Sequence, residues 1–143
     1  MAENALGLRA FPSLTGMEQD IVSAAKQLMN APEGSAGGFT TGGTDSITMA
    51  VKACRDWAVA QGRNPVGLRI IAAETAHPAF NKAAPLMNLE VVRTPVRNDF
   101  TADPAAIEAA IDDATIMVVA SAPCFPYGPV SYTHLRAHET ELH

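Results

Sequence analysis

Three short, mostly apolar runs separated by helical patterns constrain this chain more than any other feature of its sequence. They are Leu68-Arg69-Ile70-Ile71-Ala72-Ala73, Leu89-Glu90-Val91-Val92-Arg93 and Ile116-Met117-Val118-Val119-Ala120. A strand that is apolar at consecutive positions has no face to give to water, so each run predicts a strand covered on both sides. Strands alternating with helices make right-handed crossovers in a parallel sheet. The expected class is α/β, with a doubly wound sheet.

The helices between these strands are legible from period and caps. Thr15-Gly16-Met17-Glu18 reads as a capping box opening a first helix, with Met17, Ile21, Ala24 and Leu28 as its inward stripe and Asn30-Ala31-Pro32 with Gly34 as its stop. A second helix starts at Thr44 and aligns Ile47, Ala50, Val51, Cys54, Trp57 and Ala58, with Lys52, Arg55 and Asp56 on the other side and Gly62 and Pro65 at its end. Pro78 fits the first position of a small-residue helix through Ala79, Phe80, Ala83 and Ala84. Asp103-Pro104 reads as an N-cap and N1 proline for a helix from Ala105 to Ile111.

Composition narrows the function classes. At 143 residues, 48% hydrophobic and 17% charged, the chain has the make-up of a globular, soluble domain. A net charge of −5, with ten scattered Lys and Arg, argues against a nucleic-acid partner. Cys54 and Cys124 match no metal spacing, and two distant thiols predict packing residues in a reducing compartment. No apolar run reaches the roughly 20 residues of a membrane span, and Met1 to Arg9 lacks the order of a signal peptide. The expected location is the cytoplasm.

Ligands of open parallel sheets sit beyond the carboxyl ends of the strands, and three features fall on that rim. The first is Gly38-Phe39-Thr40-Thr41-Gly42-Gly43-Thr44-Asp45-Ser46, where paired glycines open a helix whose first amides point outward with the positive end of its dipole. It reads either as a phosphate-binding turn or as a tight turn with a Thr N-cap. The second is His77, a structural hydrogen-bonding residue or a catalytic one; its place beside an anion site favours the second. The third is the loop Ser121-Ala122-Pro123-Cys124-Phe125-Pro126. Asp45 needs no chemistry to explain it, since a carboxylate suits the first turn of a helix.

Taken in order, Gly-Gly-Thr-Asp-Ser, then Thr75-Ala76-His77-Pro78-Ala79-Phe80-Asn81-Lys82-Ala83-Ala84, then Thr94-Pro95-Val96, then Ser121-Ala122-Pro123-Cys124-Phe125-Pro126-Tyr127-Gly128 resembles the sphingosine-1-phosphate lyase family, a branch of the group II pyridoxal-phosphate-dependent decarboxylases. The resemblance runs from about Phe11 to Val130. It implies the large domain of the fold-type I (aspartate aminotransferase-like) transferases, a homodimer, and pyridoxal 5'-phosphate as cofactor. Gly43 and Thr44 match the turn that holds its phosphate, and His77 matches the histidine that stacks on its pyridine ring and assists proton transfer. The implied reaction is retro-aldol cleavage of a phosphorylated amino alcohol, a small-molecule substrate, with decarboxylation of an amino acid as the alternative. The family commonly has Glu at the position of Asp45, and often Gln and His at those of Cys124 and Tyr127, so substrate preference near that loop stays open.

The resemblance also implies an incomplete site. The family's cofactor-binding lysine follows a histidine much further along, so Lys82 is not that residue; it adds positive charge to the site or covers a solvent face. Residues 1–130 thus read as the N-terminal part of the large domain, and the chain by itself as a catalytically inactive fragment or a phosphate-binding module that exposes sheet edges and aggregates. The tail of residues 131–143 changes character and resembles translated adapter read-through from assembled environmental DNA, a non-native segment. His134 and His138 with Glu141 lack the zincin order, and no metal site is expected.

Overall fold

A computed structural model describes residues 11–130 of the chain. The residues 131–143 read as a non-native tail lie outside that range. Two compact units are present, Met1–Ser46 and Ile47–His143.

In the first unit, helix α1 spans Pro12–Leu28. Its start corrects the sequence expectation: Phe11 occupies the N-cap with no side-chain hydrogen bond, and Pro12 supplies the first turn. Proline's fixed φ and missing N–H suit that position, so the helix begins three residues before the Thr15 capping box. Its end follows the sequence. Asn30 takes φ +48°, its N–H donates to the Gln27 carbonyl, and the Ala31 N–H reaches back to Lys26, which together form a Schellman motif. A second correction concerns the stripe. Helix α1 buries no residue, and Met17, Ile21 and Leu28 are exposed. The helical period located the helix but carries no information about what covers it. Gly37 is required where it stands, because a Cβ there would lie 2.8 Å from Val22 Cγ1.

Helix α2 spans Gly43–Ala60. Like α1 it closes on a Schellman motif, with Gly62 at φ +83° and the Arg63 N–H on the Ala58 carbonyl. Only Val51 and Ala58 of its predicted stripe are fully buried. Ala50 is exposed and Trp57 is 63% exposed, against the expectation that both face the core. At 3.6 residues per turn, Trp57 lies roughly 100–120° around the helix from Val51 and Ala58, so the face that buries those two turns the indole away.

The second unit is organised around strand β1, Arg69–Ala73. Strands β2, Glu90–Thr94, and β3, Thr115–Val119, flank it in parallel, giving the order β2-β1-β3. The strand bounds differ from the sequence expectation by one residue. Helix α3, Ala79–Leu86, joins β1 to β2, and α4, Pro104–Ala110, joins β2 to β3. A chain that moves one way across the sheet and then the other must put successive right-handed crossovers on opposite faces. Side-chain burial shows this directly. Ile70 and Ala72 pack with Val51 and Ala58 of α2 and with Phe80, Ala83 and Ala84 of α3, whereas Ile71 and Ala73 pack with Ile107 of α4. The sheet is therefore doubly wound.

Local caps agree with the sequence at α4, where the Asp103 carboxylate accepts the Ala105 N–H at 3.1 Å and Pro104 opens the helix. Pro78 is the N-cap residue of α3, one position before its predicted place. Replacing Ile107, which is 1% exposed, by Ala is expected to cost about 2–5 kcal/mol, and Asp103→Ala about 1 kcal/mol. Urea unfolding followed by circular dichroism measures both; equal losses would contradict this ranking.

Candidate active site

At the start of α2 the chain folds so that a backbone end faces outward. The Ser46 N–H donates to the Gly42 carbonyl at 2.9 Å, the first rung of the helix. The opening amides of a helix lie ahead of that ladder and point along the axis, away from the helix body. Asp45 turns back: its Oδ2 accepts the Thr41 N–H and the Thr41 Oγ1 hydroxyl, each at 3.1 Å. Its charge is thereby engaged in closing the turn. A Cβ built on Gly42 or Gly43 meets nothing within 4 Å, so the approach to this turn is open. Positive dipole, open backbone and an occupied carboxylate fit a phosphate. Gly43 and Thr44 lie in the first unit and His77 in the second.

His77 follows β1 directly. The tight turn after the strand, with the Ala76 N–H on the Ala73 carbonyl at 2.9 Å, brings the imidazole to the start of α3. There its Nδ1 accepts the Ala79 N–H at 3.1 Å. That bond satisfies a helix-end amide and makes the neutral ring the Nε2–H tautomer. His77 thus fills the structural role that its sequence position allowed, capping a helix amide with Nδ1, and the same bond leaves Nε2 as the ring's donor. Phe125 meets the ring edge to face, with centroids 4.5 Å apart at 70°. The loop after β3 is thereby brought to the histidine. In the same loop the Ala122–Pro123 peptide is cis, and Tyr127 stacks on Phe100 at 4.0 Å and 20°.

Phe100 holds φ +62°, a left-handed conformation costly for a residue with a bulky side chain. A short hairpin enforces it: Val96 bridges Ala102, the Arg97 N–H donates to the Thr101 carbonyl, and the Asp99 carboxylate accepts both the N–H and the hydroxyl of Thr101. Those bonds hold the Asp99 carboxyl below its usual range.

Next to His77 lies an open cavity of about 410 Å³, lined in part by Glu74, Asn81, Arg93, Phe125 and Pro126. Arg93 is the residue that sequence reasoning passed over. Its Nη1 donates to the Ala73 carbonyl at 2.7 Å and to that of Ala76 at 3.2 Å, while Nε and Nη2 donate to Asn81 Oδ1 at 3.1 and 2.9 Å. Burial lowers its pKa from the ordinary value, and a guanidinium starting so high stays charged at neutral pH. The available signal was a cation directly after the apolar pair Val91-Val92, near the end of a strand run. Lys82 is exposed on α3. Among the described residues, no three His, Cys, Asp or Glu side chains gather as a metal site, and no helix is long and apolar enough to cross a membrane.

This fold and rim define a class, and comparison agrees: the chain belongs to the aminotransferase class I and II family, whose sequence profile matches residues 20–131. Within it, the chain is similar to sphingosine-1-phosphate lyases. It is 39% identical over 133 residues to the lyase of Oryza sativa subsp. japonica, covering 87% of this chain and 24% of that protein. A solved sphingosine-1-phosphate lyase structure from Burkholderia pseudomallei matches 96% of this chain and 34% of that one, with a TM-score of 0.84 at 34% identity. Glutamate decarboxylase of Lactobacillus brevis shares the fold, with a TM-score of 0.77 at 19% identity over 96% of this chain and 35% of that one. The chain spans between a fifth and a quarter of the length of these curated sphingosine-1-phosphate lyases.

Two outcomes are expected from these geometries. Asp45→Ala removes both Thr41 contacts and should speed exchange of the Thr41 amide about tenfold in hydrogen-exchange mass spectrometry; unchanged exchange would show that the turn does not depend on Asp45. Because the folded Asp99 pKa is depressed, its contribution to the hairpin is present above the unfolded value of about 3.9 and is lost as pH falls through the folded one. Thr101 amide protection followed from about pH 6 to about pH 2.5 reads this directly, and Asp99→Asn should flatten that dependence.

Proposed function

We propose that the full-length protein is a pyridoxal 5'-phosphate-dependent carbon–carbon lyase that cleaves a phosphorylated amino alcohol in the retro-aldol sense. The observation that carries this reading is the 34–39% identity to sphingosine-1-phosphate lyases along most of the chain. The open turn that starts α2 supports Gly43 and Thr44 as the residues that would hold its phosphate; His77, in the second unit, would be the residue that meets its pyridine. When bound, the cofactor supplies an electron sink for the electrons released at the amine-bearing carbon of the substrate.

The chain's own side chains have narrower tasks. His77, with Nδ1 committed to Ala79, holds its transferable proton at Nε2 and so acts as a donor with one fixed direction. Phe125 shields one side of that imidazole from water. In this reading the protein works as a homodimer in the cytoplasm. Of the lysines Lys26, Lys52 and Lys82, none follows a histidine in the family's order, so in this reading none is the family's cofactor-binding residue.

The decarboxylase reading has the glutamate decarboxylase fold in its favour, but at lower identity. Assay of the full-length protein with a phosphorylated amino alcohol and with amino acids separates the two. Aldehyde release without carbon dioxide is expected, and carbon dioxide without aldehyde would overturn the lyase assignment. With the 143-residue chain, borohydride treatment after incubation with one equivalent of the cofactor should label no one of Lys26, Lys52 and Lys82 in preference to the others, and stoichiometric labelling of a single one would contradict this reading.

A further inference from the structure

We infer that Arg93 is a positioning residue for His77, and that it acts by fastening the β1–α3 loop at three points. The guanidinium reaches from β2 across the end of β1. It takes the carbonyls of Ala73 and Ala76, which close the turn before the histidine, and Asn81 Oδ1, one turn into the helix that His77 caps. His77 therefore sits between two anchors tied to the same planar group, with Ala76 immediately before it and Asn81 four residues after.

The chemistry of the partners separates this from an ordinary surface arginine. All three acceptors are neutral, and among the described residues no carboxylate pairs with Arg93. A half-buried cation held only by carbonyl and amide oxygens uses its fixed fork of donors for geometry rather than for charge neutralisation. In register, Arg93 stands opposite Ala72 and Thr94 opposite Ala73, so the side chain leaves β2 at the level where β1 gives way to the loop. The Glu74 N–H, bonded to the Thr94 carbonyl at 3.0 Å, extends that pairing by one rung. With the fork removed, the Ala73 and Ala76 carbonyls and the Asn81 amide lose their common partner, and the turn loses its tie to the helix start at the spacing that lets Nδ1 meet the Ala79 N–H. The role rests on the reading of His77 as the group facing the cofactor. The geometry itself needs no cofactor, which lets the two be tested apart.

The test uses the 143-residue chain without cofactor, with ¹⁵N-labelled histidine and pH held about two units above the ordinary imidazole pKa of about 6.5. His77→Gln assigns the ring signals. Wild type should show one neutral tautomer, with the proton on Nε2 and a protected Ala79 amide. In Arg93→Ala, with α4 protection unchanged as the control for folding, the two ring nitrogen shifts should move toward an average of both tautomers and Ala79 exchange should rise about tenfold. Should Arg93→Ala fail to fold, Asn81→Ala removes one anchor and leaves the guanidinium on both carbonyls, and it should give the same changes at smaller amplitude. A folded variant with unmoved His77 shifts and unmoved Ala79 exchange would overturn the inference. Failure of the full-length protein to use pyridoxal phosphate would instead overturn the functional reading and leave the clamp standing.

Discussion

Burial of β1 on both faces is the constraint from which the second unit follows. Ile70, Ile71, Ala72 and Ala73 are all buried although they alternate in direction, so the strand is stable only with a helical layer on each side. Helices α2 and α3 meet the first set and α4 meets the second. Because β1 is central, the crossover from β1 to β2 and the one from β2 to β3 are forced to opposite faces, and the carboxyl end of β1 becomes the place where they part. His77 lies a short turn beyond Ala73, the last residue of that strand. Its position is a consequence of topology before it is a matter of chemistry.

The choice of small residues serves the same end. Ala83 and Ala84 let α3 lie close on the sheet, which keeps the helix start, and with it the Ala79 N–H, within reach of the histidine at the strand end. Helix closure contributes as well. Asn88 at φ +58° turns the chain after α3 in a third Schellman motif, with the Leu89 N–H on the Ala84 carbonyl, so that β2 begins at once beside β1. Arg93 then arrives at the loop because β2 is in register with β1, and a slip of one residue would point it to the other face.

What the sequence disclosed and what it hid divide along physical lines. Strands, the Asp103 cap, the helix stops at Asn30 and Gly62, and the doubly wound class were legible because each depends on residues close in the chain. The outward turn of Trp57 and of the α1 stripe was not, since period reports that a side is apolar and says nothing of what stands opposite it. The start of α1 was misplaced because Thr15 to Glu18 satisfies a capping pattern that proline at residue 12 pre-empts. At the rim, glycines and histidine announced themselves by residue type. The Arg93 fork, the approach of Phe125 to His77 and the stack of Phe100 on Tyr127 join positions distant in the chain, and no local pattern encodes such meetings.

Tyr127 gives that last contact a wider meaning. Its phenol ring lies on Phe100, whose backbone is held in a costly conformation by the Asp99 and Thr101 hairpin. A strained residue persists only where its surroundings over-determine it, and here the hairpin bonds and the ring stack do so together. The same loop carries Phe125 to His77. The loop is thus tied at Tyr127 to the hairpin after β2 and at Phe125 to the histidine after β1. Tyr127 stands two residues from Phe125, so the two ring contacts fix neighbouring points of one loop, which the hairpin after β2 and the histidine after β1 share.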